Sequence, residues 1–534
     1  MDFERFKAKV AELGAMGGVV PVWRDVLMDT DTPVSAFAKV RRGPFAFLLE
    51  SAPAGAETWA RYTFLGTEPR GAWRLMGGTV EEWTPAAGWH NPRQPADPLA
   101  DLNARIEADR PAHVPELGVF WGGAVGFFSY DIVRLIESLP NAPTAGLDVP
   151  DALFVFTRSL VIIDNLRAQA RVVVSVQVPS GANPTQLQSL YDEAVRELDE
   201  LIGRLRGPNP LPPLTLDSSA PAAEGTSQFA KADFLAGVER IKEYIRAGDC
   251  FQALLARRID IPQNFASETL YRALRALNPS PYMYHLVLDG MELVGSSPEL
   301  LVRVADNRVT VRPIAGTRPR AKTPEGDEAM RAELLADEKE RAEHVMLVDL
   351  GRNDVGRIAE FSSVEVTNFM CVETYSHVLH IVSEVQGRLR QKMSVMDVFK
   401  ATFPAGTMTG APKVRAMEII DELEPTRRGP YAGAIGYIAS GGERMDLAIT
   451  IRTAVLRNGV ASIQTGAGIV ADSVPDKEWE ETENKARAML TAIGQVRQAS
   501  NDTGGNVNGG TNGDATRTAP HTASRSATHS ASHA

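Results

Sequence analysis

Cysteine is nearly absent. Cys250 and Cys371 are the only two in 534 residues, too few for a disulfide framework or a cysteine-rich metal site. That scarcity points to a reducing compartment. Long apolar runs are missing too: no stretch approaches the roughly 18 residues needed to cross a bilayer, and the opening MDFERFKAKV carries acids and lacks a signal-peptide core. Cations are outnumbered, with 56 Lys and Arg against 67 Asp and Glu for a net charge of −11, and there is no basic tract. That balance disfavours nucleic acid as a partner. The expectation is a soluble, cytoplasmic protein that contacts neither nucleic acid nor membrane.

What is present is ordinary globular composition, 44% hydrophobic and 23% charged. The length suits about three domains or one large catalytic unit. Residues 206–228 are rich in Pro, Ser and Ala and read as a linker between an amino-terminal region, 1–205, and a second region, 229–496. Residues 497–534 read as a disordered low-complexity tail, since beyond Ser500 too little apolar surface remains to offset ordering entropy. Its His521, His529 and His533 are read as inert. Strands are expected at Phe45 to Leu49, Trp73 to Leu75, Gly118 to Phe128, Leu153 to Ile163, Met291 to Val304 and Arg308 to Ile314. Asp446 to Leu456 and Val460 to Thr465 flank Asn458-Gly459, a strong hairpin signal. Helices are expected at Pro184 to Leu205 and Phe234 to Ala247, the latter stopped by Gly248. Strands joined by tight turns and interspersed with long helices predict an α+β protein built on antiparallel sheets.

Two predicted helices carry Glu-x-x-Glu. In the first, Glu340 and Glu343 share a face and can address one object; alternatively Asp337 and Glu340 form a capping box and Glu343 pairs with Lys339. In the second, Glu478 and Glu481 lie beside a buried stripe of Trp479, Thr482, Ala486, Met489 and Ile493, and a solvated Glu481–Lys485 pair is the plainer reading. Together, four carboxylates without a Cys/His cluster suit a hard cation, Mg²⁺ before Zn²⁺. In DLAITIRTAVL, alternation puts Arg452 on one strand face with Ala448, Thr450 and Ala454, either a covered anion site or an exposed arginine. Gly466-Ala467-Gly468 would let backbone amides approach a ligand. The run Gly406 to Lys413 lacks the Gly-Lys-Ser/Thr ending of a phosphate loop, so nucleotide binding is rejected there. His377 and His380 sit in an apolar segment, where a satisfied core histidine is the default. Both cysteines read as buried small apolar residues, and Asn278 to Met283 is turn chemistry by composition. The residues alone stop at a Mg²⁺-assisted enzyme acting on a small anion.

The ordered blocks AGDCFQ, NPSPYMY, GSSPEL, RPIAGTRPR, DEKERAEHVMLVDLGRND, YSHVLHIVS, PAGTMTGAPKVRAMEII, RGPYAGAIGY, AITIRTA, QTGAGIV and DSVPDKEWEETENKA span essentially Phe234 to Ile493. They resemble the chorismate-utilising enzymes, specifically the anthranilate synthase component I group, with a thinner likeness through TPVSAFAKV, FLLES and RYTFLG. The resemblance implies chorismate, Mg²⁺ and the fold of that family. It makes Glu343 and Glu481 metal ligands with Glu340 and Glu478 beside them. It places Tyr431, Arg452 and the Gly466-Ala467-Gly468 backbone on the enolpyruvyl carboxylate, Gly316 and Thr317 on the ring side, and Lys485 as a charge balance. Glu299 is implied as general acid for the C4 hydroxyl, and His380 in the later pyruvate elimination.

Two positions separate relatives. Ala315 stands where aminodeoxychorismate synthases of the related class carry a lysine nucleophile, and alanine has no lone pair. Gln252 stands where water-adding relatives carry a lysine base, so ammonia is the better nucleophile. The resemblance further implies a separate glutamine amidotransferase subunit in a heterotetramer, and a tryptophan feedback site at Ser51, Pro281, Tyr282 and Met283. Cys250 and Ala321 depart from the family pattern. The alternatives are aminodeoxychorismate synthase component I, or a non-catalytic tryptophan sensor.

Overall fold

The computed structural model describes residues 1–51, 61–375 and 378–502, without the side chains of 500–502. His377 and the tail histidines therefore lie outside the described residues. Two twelve-stranded sheets dominate, and every strand pair in them is antiparallel. The first runs, in spatial order, Gly18–Leu27, Gln169–Val178, Ser159–Asp164, Tyr62–Thr67, Phe45–Glu50, Tyr282–Leu288, Met291–Ser297, Thr453–Arg457, Val460–Ile469, Gln252–Pro262, Thr226–Ser227, with Gly410–Ala411 joined to Gln252–Pro262. The second contains Ile314–Pro319, Val378–Arg388, Arg308–Val311, Leu300–Ala305, Met445–Ile449, Ala434–Ala439, Gly123–Phe128, Ala152–Phe156 and Gly71–Met76. Strands from both sides of 206–228 contribute to each sheet, so the two regions share their sheets rather than packing as separate bodies.

The helices cover the sheets as their patterns require. Glu338–Gly356 buries His344, Leu347, Val348, Gly351 and Val355, spaced three and four apart, against Ile314–Pro319 and Val378–Arg388. Pro475–Asp502 runs past residue 497 and lies on Val460–Ile469; Trp479, Thr482, Ala486, Met489 and Ile493 are all buried as the stripe predicts. The segment 206–228 is not a free tether. Ala220 and Ala223 are buried, and the amide of Ala223 donates to the carbonyl of Leu490 at 2.9 Å. Both expected tight turns form, with positive φ at Asp306, Asn307, Asn458 and Gly459, the geometry that matches strand twist.

Three long strands expected from the sequence are each two. Leu153 to Ile163 breaks between Ala152–Phe156 and Ser159–Asp164, Met291 to Val304 between Met291–Ser297 and Leu300–Ala305, and Asp446 to Leu456 between Met445–Ile449 and Thr453–Arg457. At each break the chain leaves one sheet for the other. The apolar pattern continues because both segments are buried, so hydropathy carries no sign of the crossing. The expected strand from Gly118 likewise begins only at Gly123.

Candidate active site where the sheets cross

Two of these crossings lie side by side and form a corner. Glu299 sits in the first, Arg452 in the second. Backbone and hydroxyl bonds lock them together: the Ile449 amide donates to the Glu299 carbonyl at 3.0 Å, Ser297 Oγ donates to the Ile449 carbonyl at 2.6 Å, and the Ser296 amide donates to the Arg452 carbonyl at 3.2 Å. The alternation argument for Arg452 fails here, because the strand has ended. Arg452 adopts φ of 49°, a left-handed conformation that non-glycine residues rarely take. Its half-buried side chain is turned by the crossing, not by strand periodicity. Burial holds the guanidinium below its usual value, opposed by Tyr375 and Glu299.

Glu299 is 7% exposed. Burial raises its carboxyl to about 8, only partly countered by a hydroxyl bond from Thr407 Oγ1 at 3.0 Å, by Arg452 and Lys485, and by the Ile314 amide. It is a carboxylic acid, not a carboxylate, near neutrality. Thr407 lies in the run that the sequence reading dismissed as a false phosphate loop. The missing Gly-Lys-Ser/Thr ending bears on nucleotide binding and says nothing of the Thr407 hydroxyl, whose partner is set by the fold.

Gly316 and Thr317 occupy a bulged part of Ile314–Pro319, where the register against Val378–Arg388 shifts between Ala315 and Thr317. Gly316 has φ of 68°, and a Cβ there would meet Glu340 Oε2 at 3.2 Å. The bulge aims the Gly316 carbonyl at His380 Nδ1, 2.9 Å away, with Thr317 Oγ1 at 3.2 Å. A carbonyl only accepts, so Nδ1 carries the proton and Nε2 keeps its lone pair. Burial lowers His380 to about 4, aided by the Arg452 and Lys485 charges against the Gly316 bond. The imidazole is neutral, packed edge-on against Tyr375 at 5.2 Å.

The acids of the two helices lie within electrostatic reach of one another. Glu343 is raised first by burial and then by the Glu340 and Glu481 charges, against the Gln252 bond and Lys485; Glu478 is raised by burial and by Glu481, against Ser473, Lys339 and Lys485. Each acid rests on a neighbour: Glu343 accepts from Gln252 Nε2 at 3.2 Å, Glu340 from Arg318 at 3.2 Å, Glu478 is bonded to Ser473, and Glu481 pairs with Lys485 at 2.7 Å. Asp337 caps its helix through the Lys339 and Glu340 amides, while Glu340 turns to Arg318 instead of closing a box. Among the described residues no three His, Cys, Asp or Glu side chains are already drawn together around one point. The set nevertheless fits a hard divalent ion chemically: all donors are carboxylates, and those raised by burial and mutual repulsion gain from a cation.

Lys485 also donates to the Gly466 carbonyl at 3.0 Å. A Cβ at Gly468 would lie 2.4 Å from Gln252 Nε2, so this glycine makes room for Gln252 itself. Gln252 Oε1 is buried with no hydrogen-bond partner among the described residues. Tyr431 is buried with its ring 5.9 Å from the Arg428 guanidinium, and burial raises its hydroxyl.

The expected effector residues form a second group. The antiparallel register pairs Met283 with Glu50, which brings Ser51 beside Tyr282 and Met283. Tyr282 and Met283 belong to a strand rather than the turn that composition suggests. Tyr282 donates to Asp446 at 3.1 Å and accepts from Arg303 at 3.1 Å, whereas the buried Ser51 Oγ has no partner among the described residues. Cys250 is buried, but Cys371 is exposed on the edge strand Glu365–Thr374, against expectation. No helix among the described residues is long and apolar enough to cross a membrane.

Comparison with known proteins bears on this geometry. The family model described as chorismate binding enzyme matches residues 60–491. The chain is 44% identical to anthranilate synthase component 1 of Aquifex aeolicus across 91% of this chain and 97% of that protein, and 46% identical to that of Pseudomonas putida across 90% and 96%. The crystal structure of anthranilate synthase component I from Streptococcus pneumoniae TIGR4 superposes with a TM-score of 0.71 at 36% identity, covering 87% of this chain and 99% of that one. An acid, an arginine and two acidic helices gathered at one sheet crossing, with this likeness over nearly the full length, place the chain in the chorismate-binding enzyme family, among the anthranilate synthase component I proteins.

Proposed function

We propose that the chain converts chorismate and ammonia to anthranilate, pyruvate and water, as the names of its relatives suggest. The observation that carries this reading is Glu299: a buried carboxyl that keeps its proton near neutrality, held by Thr407 in the electrostatic reach of Arg452 and Lys485. Expelling a hydroxyl from a dianionic substrate needs such an acid beside cationic anchors.

We assign the roles as the family resemblance implies them. Arg452 and Tyr431, with the Gly466-Ala467-Gly468 backbone, hold the enolpyruvyl carboxylate, where the planar guanidinium fork favours bidentate binding. Gly316 and Thr317 face the ring side. Mg²⁺, held by Glu343 and Glu481 with Glu340 and Glu478 around it, would supply positive charge against the ring carboxylate and favour departure of the hydroxyl. Glu299 gives its proton to the C4 oxygen as the C4–O bond breaks, and the oxygen leaves as water. Ammonia forms the new bond at C2; the neutral Gln252 amide can orient it but cannot activate water. His380, neutral with a free Nε2 lone pair, assists the elimination that releases pyruvate. Ala315 carries no nucleophile, which supports direct amination over a covalent route.

The ammonia would come from glutamine through a separate amidotransferase subunit. Tryptophan would bind between Ser51 and Pro281, Tyr282 and Met283, where the unpartnered Ser51 hydroxyl offers a polar contact. Purified chain with chorismate, Mg²⁺ and ammonium should yield a blue-fluorescent product and pyruvate, slowed by added tryptophan. Formation of 4-amino-4-deoxychorismate, or saturable tryptophan binding without turnover under any nitrogen source, would reject the assignment.

A further inference from the structure

A partly open cleft that the roles above leave unused reaches Glu299. Its wall includes the buried Glu299 and the half-buried Thr407, Asp354 and Arg312. Leu350 of the helix Glu338–Gly356 and Ala405 of the loop before Thr407 form part of its sides. None of the residues assigned to chorismate or to the metal, apart from Glu299, lines it.

We propose that this cleft is the water route of the reaction: it returns a proton from solvent to Glu299 after each turnover and carries away the expelled oxygen as water. The inference rests on the proposed function. In that reaction the electron pair of the C4–O bond stays on oxygen and the Glu299 O–H bond breaks to protonate it. The ammonium formed by C–N bond formation at C2 sheds one proton to solvent, and the Glu299 carboxylate must take one up, so protons balance. Neither Arg452 nor Lys485, on which the substrate would be anchored, lines the cleft, so it offers the proton a separate way to the acid. Thr407 is suited to relay it: its hydroxyl donates to Glu299 Oε1 and can accept from a water in the cleft. Asp354, another lining residue, is paired with Lys413 at 2.8 Å, which gives the wall a charged group beside the apolar side chains of Leu347 and Leu350.

The test narrows the cleft at two of its lining residues with Ala405→Leu and, separately, Leu350→Phe; either variant that folds suffices. The expected result is a fall in kcat of about 3- to 10-fold with chorismate KM unchanged, and a larger solvent deuterium isotope effect on kcat as proton return becomes limiting. Unchanged kcat and isotope effect in a folded variant, while the wild-type chain makes anthranilate, would overturn this inference alone. A raised KM for ammonium with an unchanged isotope effect would overturn it in favour of an amine passage. Failure of the wild-type chain to make anthranilate would overturn the proposed function and the inference with it.

Discussion

Glu424 and Glu299 are both buried carboxyls of the catalytic half, and they are supported in opposite ways. Glu424 receives Arg428 at 2.6 and 2.9 Å and the Ala256 amide at 2.9 Å, and Arg428 is further tied to the carbonyls of Met408 and Leu254. Burial raises the Glu424 carboxyl as well, but the Arg428 charge and bonds and the Ala256 amide oppose it, and Arg428 is held charged in return. Glu299 has one hydroxyl and one backbone amide, with its cations close but not bonded. A saturated ion pair fixes structure; an undersupplied acid keeps a proton it can give away. Much of the difference between scaffold and chemistry in this molecule is in the count of donors.

The widest break in that comparison is Glu299→Gln. An amide keeps the Thr407 bond and cannot donate an acidic proton, so kcat should fall about 10²- to 10⁴-fold, with the melting temperature at pH 7 no lower than wild type. Assay of anthranilate formation alongside thermal unfolding separates the two effects. Glu424→Gln should do the reverse: an unpaired Arg428 charge costs about 3–5 kcal/mol of stability, read as a lowered denaturation midpoint. If it instead spared stability and removed activity, the two glutamates would have been assigned backwards.

Arg452→Lys tests whether the corner grips a carboxylate as a fork. A point charge on a flexible stem cannot reproduce two parallel bonds, so chorismate KM should rise about 10- to 100-fold with Mg²⁺ dependence unchanged. The pH profile comes next in size. Because burial favours the neutral form of Glu299, activity is present below pH about 8 and lost as pH rises through it, by about tenfold per unit. Linkage gives the same sign for stability: the folded state holds a proton that the unfolded chain releases near pH about 4.3. Stability therefore falls between there and about 8, and Glu299→Gln should lack that fall. His380, already neutral because burial lowers it to about 4, adds no limb near neutrality.

These residues also show how far the sequence can be read. Helix Pro475–Asp502 was legible because one face is buried and a 3.6-residue period records it. The acids beside that stripe were legible for the same reason, and the antiparallel architecture through its paired turns. The sheet crossings were not. A strand that passes from one buried sheet into another has no polar interruption, so Thr450 to Arg452 read as continuous alternation when the backbone turns left-handed at Arg452. Gln252 and Gly468 sit far apart in the chain and make sense only in the fold, where the register sets Gly468 opposite Leu254 and the Gln252 side chain reaches across it. Thr407 escaped because its role is set by a carboxyl 108 residues away. Local pattern specifies elements; chemistry assembled at element ends needs the fold.

The smallest effect is expected at Ser51, and it reverses the usual sign. Tyr282 spends its hydroxyl on Asp446 and Arg303, so the protein alone satisfies it. Ser51 has a buried Oγ with no partner among the described residues, a polar group left waiting. Removing an unsatisfied buried hydroxyl relieves a desolvation cost, so Ser51→Ala should leave turnover without tryptophan unchanged and stabilise the free chain by up to about 1 kcal/mol. Losing a hydrogen bond made only when tryptophan is bound should weaken inhibition about 5- to 10-fold. Tyr282→Phe should behave oppositely, costing about 1 kcal/mol of stability with or without the effector. If Ser51→Ala destabilised the free chain and left inhibition intact, the hydroxyl would be structural, and the second group of residues would be no more than a strand junction.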